Sequence, residues 1–321
     1  KNPFRYIYRM QNYIMFEDNI ESAPSSQDFI ISDDVEVLRK HIFGKYNIII
    51  VGSDEIWKTD NFRGFPNPYW LEGDFGCTKI AYGVSSLSED NLLSSKELEL
   101  MRQLLEDYEY ISARDEFTCN KLQKLLSNSK KVYQVCDPTF LYNFKPNKER
   151  GRKLLKEKFG INTKKHIVGF MCSSRILALK LKRVLGKNVQ VVALYDYILG
   201  FNNTLKATPF EWIDIVAALD FMVTSYFHGT CFSLLGNTPF YSIDISSIDG
   251  EHSKIRNLLE QVELLDRFSM GTDDACVSRI VNTYNEAVSK GNISFEKEVN
   301  LLRQKGLKFQ QYIYEMIQWH K

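Results

Sequence analysis

Residues 221–244 read FMVTSYFHGTCFSLLGNTPFYSID. Phe221 to Thr224 are apolar or β-branched at consecutive positions, the pattern of a strand covered on both faces in a parallel sheet. The run gives way to a loop at Ser225–Gly229. TCFSLLGN (230–237) then reads as a short helix and TPFYSIDIS (238–246) as the next strand. Strand, helix and strand in so few residues make a β-α-β unit, which commits this part of the chain to an α/β fold. The predicted loop holds His228, one of five histidines in 321 residues. Two readings stay open: a packing residue at a turn, or a reacting group placed at the carboxyl end of a strand.

The same alternation extends upstream. HIVGFMCSSR (166–175) and VQVVALYD (189–196) read as strands, separated by the helical ILALKLKRVL and followed by the helix PFEWIDIVAALD (209–220). An earlier set begins with the β-branched run of YNIIIVGSDEIW (46–57). It continues with TKIAYGVSS (78–86), EYISARD (109–115) and KKVYQVCDPTFLY (130–142), with helices predicted over 94–108 and 116–128. Helical spacing puts Leu98, Met101, Leu104 and Leu105 on one face of the first of these. The charge-rich stretch 143–165 separates the sets and carries an amphipathic helix. SKIRNLLEQVELLDRF (253–268) reads as a helix, and two further helical segments close the chain. This organisation predicts two α/β domains, 1–145 and 146–321, with mainly parallel sheets.

Bulk composition narrows the class. Lys and Arg number 41 against 40 Asp and Glu, so no global field selects nucleic acid or an anionic membrane. No apolar run reaches the roughly 18–20 residues of a membrane span. The six cysteines stand singly, without CxxC spacing, which argues against a zinc site and fits reduced thiols in a cytoplasmic protein. Phosphate-loop, GxGxxG, HExxH and GxSxG motifs are absent.

In open α/β sheets ligands bind outside the carboxyl ends of the strands. Those ends here carry Ser53-Asp54, Ser85-Ser86, Arg114-Asp115, Asp137, Ser173-Ser174-Arg175 and Tyr226 to Thr230. Arg114 is either a surface ion pair or a guanidinium fork for a carboxylate or phosphate. Arg175 has the same two readings. Asp54 is a turn carboxylate or an acceptor for sugar hydroxyls. Trp57 is a core residue or a stacking platform. Gly229 allows a close backbone approach to a ligand, and Thr230 is expected to cap the following helix, whose start favours an anion.

The ordered set VGSDEIW, KIAYGVSS, YISARDEFTCNKL, VCDPTFLY and FMVTSYFHGTCFSLLGNTPFYSID closely resembles the polysaccharide pyruvyl transferase family over about residues 45–270. The resemblance implies two Rossmann-like domains in a GT-B-like arrangement with the active site in the interdomain cleft. It implies transfer of the enolpyruvyl group of phosphoenolpyruvate to sugar hydroxyls, closing a pyruvate ketal on a bacterial-type surface polysaccharide or its precursor. Domain 1–145 would face the acceptor and 146–321 the donor anion. The implied partners are phosphoenolpyruvate, as substrate rather than cofactor, and a saccharide, lipid-linked in one form. No metal and no nucleic acid are implied. Such an enzyme would be cytoplasmic, working in one version peripherally at the inner membrane face.

By this resemblance Arg114 matches a donor-anion ligand and His228 the histidine near the reacting enol, with Asp54 set to orient or deprotonate a hydroxyl. Ser53, Ser85, Arg175, Tyr226, Gly229 and Thr230 are the expected substrate-binding positions. The chain departs from the family in two ways. Tyr226 stands where many relatives have an arginine, and the N-terminal strand and loop preceding GSD in relatives are not seen, so the first domain is expected to lack them. Two alternatives remain open: a GT-B-like glycosyltransferase using a nucleotide sugar, with Glu211 and Asp214 as the nearby acidic candidates, and a degenerate, non-catalytic saccharide-binding homologue.

Overall fold

In a computed structural model the chain is an α/β protein built on two sheets whose strand pairs all run parallel. Residues 28, 30–60, 62–90, 93–127, 129–204, 206–245 and 252–319 are described. They fall into two units. One takes the described residues within Ser26–Tyr142, Glu251–Asn257 and Leu301–Lys321, the other those within Asn143–Gly250 and Leu258–Asn300.

The first unit begins with helix α1 (Val35–Ile42), held by the Asp34 side chain, which accepts from the N–H groups of Glu36 and Val37. Its sheet is β1 (Ile48–Val51), β2 (Thr78–Val84), β3 (Tyr108–Ala113) and β4 (Val132–Gln134), in that spatial order. Helix α2 (Ser95–Glu106) is fixed by a capping box between Ser94 and Glu97 and buries Met101, Leu104 and Leu105. Helix α3 (Glu116–Leu125) starts at Asp115, whose carboxylate accepts from Thr118 N at 2.7 Å. Under β2 and β3 lies an aromatic core in which Trp57, fully buried, stacks on Trp70 at 4.6 Å. Trp57 is therefore a packing residue, closed to any sugar ring.

The second unit opens with α4 (Lys148–Glu157), then β5 (His166–Met171), α5 (Arg175–Leu185), β6 (Val189–Ala193) and the short β7 (Asn202–Asn203). It continues through α6 (Pro209–Ala217), β8 (Phe221–Thr224), α7 (Phe227–Leu235), β9 (Phe240–Asp244), β10 (Phe268–Met270) and α9 (Asp274–Lys290); between β9 and β10 runs α8 (Lys254–Gln261), whose residues up to Asn257 count with the first unit. Helix α10 (Glu296–Trp319) ends the described chain. The sheet order is β10-β9-β8-β5-β6-β7. In sequence terms that is the doubly wound order, with the switch point between β5 and β8. Val168, Phe170, Phe221, Val223, Tyr241 and Ile243 line one face, under Leu177, Leu181, Val277 and Ile280.

The helix expected over 253–268 stops at Gln261. Glu263 takes a left-handed conformation (φ 59°), Leu264 N turns back to Leu259 O at 2.9 Å, and Phe268–Met270 joins the sheet beside β9. The expectation that a first strand and loop are missing falls outside the described residues.

Candidate active site

Residues after the four strands of the first unit converge because parallel strands end on one edge. Asp54, just past β1, has φ 87° and accepts through its backbone oxygen from Ser85 N at 3.0 Å, extending the ladder beyond β2. Arg114, just past β3, is 6% exposed. Its Nη1 donates to Asp137 Oδ2 and its Nη2 to Asp54 Oδ1, both at 2.8 Å, with Ser53 Oγ at 3.4 Å from Nη1. Asp137 also caps the turn at Pro138–Phe140. Ser85 is fully buried and donates to Asp115 Oδ2 at 2.7 Å, linking β2 to the start of α3.

A residue the sequence reading did not single out completes this group. Lys254 Nζ lies 2.9 Å from Asp54 Oδ1 and 2.8 Å from Glu55 Oε2. Burial alone would push the Asp54 carboxyl up. The charge and hydrogen bond of Lys254, with the charge of Arg114, outweigh it and hold Asp54 well below the usual carboxylate range. Burial likewise works against the charged Arg114, and Asp137 and Asp54 more than offset it. The Asp54 side chain is the outward member of the group, two-thirds exposed, while Arg114 and Asp137 lie behind it.

The second group stands on the other sheet, at its switch point. Strands β5 and β8 pair through Met171 and Thr224, so the residues after each are neighbours. Tyr226 is the N-cap of α7 and gives it no side-chain cap. His228 is exposed on the first turn of that helix, its ring edge-on to Phe227 at 5.4 Å. The loop expected through Gly229 is thus already helix. Thr230, expected as the cap, lies inside the helix, fully buried, with its hydroxyl 2.8 Å from Ser242 Oγ and 3.4 Å from Tyr226 O. The helix starts early because Thr224 Oγ1 accepts from Tyr226 N at 3.0 Å and turns the chain at once. Gly229 is small for packing: a Cβ there would sit 2.2 Å from Thr224 Oγ1.

Arg175 opens α5 directly after the cap Ser174 and is exposed. Among the described residues no carboxylate pairs with it. Tyr226 Oη donates to Asp196 Oδ2 at 2.9 Å, a second contact absent from the sequence reading. Ser53, Asp54 and Arg114 therefore share one cluster, and Tyr226, His228, Gly229 and Arg175 another, each on the carboxyl edge of its own sheet. No helix among the described residues is long and apolar enough to cross a membrane.

Solved structures resemble the chain at low identity. HepE of Anabaena, in complex with UDP and glucose, superposes with a TM-score of 0.52 at 11% identity, over 88% of this chain and 79% of that one. A putative UDP-N-acetylglucosamine 2-epimerase from Listeria monocytogenes gives 0.48 at 8% over 92% and 81%, and a glycosyltransferase from Rickettsia africae 0.46 at 10% over 98% and 83%. The HepE likeness shows the fold alone, an α/β fold of the kind found in GT-B glycosyltransferases. None of the curated proteins matches at a significant level. The sequence model named Polysaccharide pyruvyl transferase matches residues 2–247, more than three-quarters of the chain and both site clusters except Lys254. On that match the chain belongs to the polysaccharide pyruvyl transferase family.

Proposed function

We propose that this protein transfers the enolpyruvyl group of phosphoenolpyruvate to hydroxyls of a saccharide and closes a pyruvate ketal on a surface polysaccharide or its lipid-linked precursor, as a cytoplasmic enzyme. The observation that carries the reading is the family match over residues 2–247, within which Arg114 and His228 both fall at strand ends. Protonation of the methylene carbon makes the neighbouring carbon cationic. A sugar hydroxyl adds to it, phosphate leaves, and a second hydroxyl closes the ring.

The two clusters differ in charge balance. In the first unit the positive charges are already matched, Arg114 by Asp54 and Asp137 and Lys254 by Asp54 and Glu55, so an added phosphate would compete with carboxylates. That cluster suits the acceptor: the outward Asp54 accepts from a sugar hydroxyl and Arg114 holds it in place. In the second unit the exposed Arg175 and the start of α7 suit the donor's anions. His228, exposed on that first turn, is the proton-transfer group. The acidic residues considered for a nucleotide ribose are engaged elsewhere. Glu211 forms a capping box with Thr208 and a pair with Lys158, and Asp214 is buried under Arg150.

Mass spectrometry of acceptor glycans incubated with phosphoenolpyruvate is the test. Wild-type protein adds the ketal mass, and His228→Ala lowers the turnover by about 10²–10⁴-fold without loss of fold. Full activity in His228→Ala removes the assignment.

A further inference from the structure

Helix α5 covers one face of its sheet with Leu177, Ala178 and Leu181. On its opposite side Ile176, Leu179, Arg183 and Lys187 follow one another at steps of three or four residues, a single stripe along the helix and past its end. Ile176 is 70% exposed, Leu179 43%, and Val184, beside the stripe, 56%. The helix carries four cations and no Asp or Glu. Of those beyond its first residue, Lys180 pairs with Asp274. Lys182, Arg183 and, just after the helix, Lys187 are exposed, and among the described residues no carboxylate pairs with them. Lys165 Nζ donates to Lys187 O at 2.8 Å and brings a further ammonium group to that end. On the other flank Lys182 Nζ donates to Gly200 O at 3.3 Å and lies 4.8 Å over the Phe201 ring, beside Leu199, itself 56% exposed. This positive surface stands on a chain whose net charge is only +1.

Single exposed aliphatics are ordinary on a protein surface. Here they are interleaved with cations that no carboxylate neutralises, and the combination selects a partner. The core of a protein–protein interface is depleted of lysine, so this stripe suits one poorly. A second copy of the same face would set like charge against like. An anionic bilayer meets both halves of the pattern. Headgroup phosphates take the cations, whose long stems lie along the boundary, while Ile176, Leu179 and Val184 enter the outer acyl region. We propose that the outward face of α5 docks the protein on a membrane surface rich in anionic lipid. Arg175, at the start of the helix, is left to the donor's anions. The inference goes beyond the pyruvyl transfer reading, since it concerns where the protein is held and not what it transfers.

The test is co-sedimentation of the full chain with vesicles, either phosphatidylcholine alone or equal parts phosphatidylcholine and phosphatidylglycerol, at low and high salt. The expected result is binding to the mixed vesicles that high salt weakens, and little to phosphatidylcholine alone. Arg183→Gln with Lys187→Gln should lower the partition coefficient about 5-fold for each charge removed. Both side chains are exposed, so this variant keeps the wild-type melting temperature. Ile176→Ser with Leu179→Ser should lower partitioning about 10-fold. Lys297→Gln with Lys308→Gln, at two exposed positions of α10, should leave it unchanged. Failure to bind the mixed vesicles overturns the proposal. So does binding that survives Arg183→Gln with Lys187→Gln, or that is as strong on phosphatidylcholine alone. A dimer in light scattering that the α5 variants convert to monomer overturns it in favour of a second copy as the occupant. None of these readouts involves phosphoenolpyruvate, so pyruvyl transfer is judged separately.

Discussion

Arg114 and Asp137 face each other at 2.8 Å with side chains 5% and 3% exposed. Removing one partner of such a pair strands the other charge in the interior, at a cost of about 3–5 kcal/mol. Arg114→Met is expected to lower stability by that order in chemical denaturation, and Arg114→Met with Asp137→Leu to recover a large part of it. Asp54 makes a pH prediction. Its folded pKa lies below the unfolded carboxylate value of about 3.9. Its contribution is therefore complete above that value and fades as the pH falls through the lower, folded one. The drop in melting temperature between pH 6 and pH 3 should be smaller in Asp54→Asn than in wild type. Asp54 and Arg114 were legible in the sequence because each ends an apolar run, and parallel strands bring such ends together. Lys254 was not, since it reaches Asp54 across 200 residues. Nor was Asp196, which becomes a partner of Tyr226 only once β5 lies between their strands.

At the scale of elements, the periodic runs gave the strands and long helices, and the errors sit where local chemistry is atypical. Helix α7 begins on Tyr-Phe-His-Gly, with no Ser, Thr, Asp or Asn at its cap, because Thr224 two residues earlier turns the chain instead. The helix over 253–268 breaks at Glu263, where neither Gly nor Pro signals a stop. Composition does not reveal how closely two helices approach, and α4 and α6 show why. A Cβ on Gly151 would lie 1.9 Å from Asp214 O, so the helices touch through bare backbone. Gly151→Ala must push them apart and loosen the Arg150–Asp214 pair. A loss of about 1–3 kcal/mol is expected, despite alanine's better helix propensity, and urea denaturation measures it.

For the whole molecule, the order of the chain is not the order of its units. The run from Leu301 belongs with the first sheet: Phe309, Ile313 and Met316 pack on Ile80 and Val135, and Arg303 Nε donates to Phe140 O at 2.7 Å. Its apolar periodicity was visible, but no pattern in one helix says which sheet it will cover. A chain ending at residue 300 should lose the folding transition of the first unit, seen as an early, low-temperature step in calorimetry. Phe309→Ala should cost about 3–5 kcal/mol. Synthesis therefore meets the two halves in reverse. Domains usually mature in the order they leave the ribosome. Here the sheet translated first must wait, one face uncovered, until the run from Leu301 emerges, while the strands of the later half are already complete.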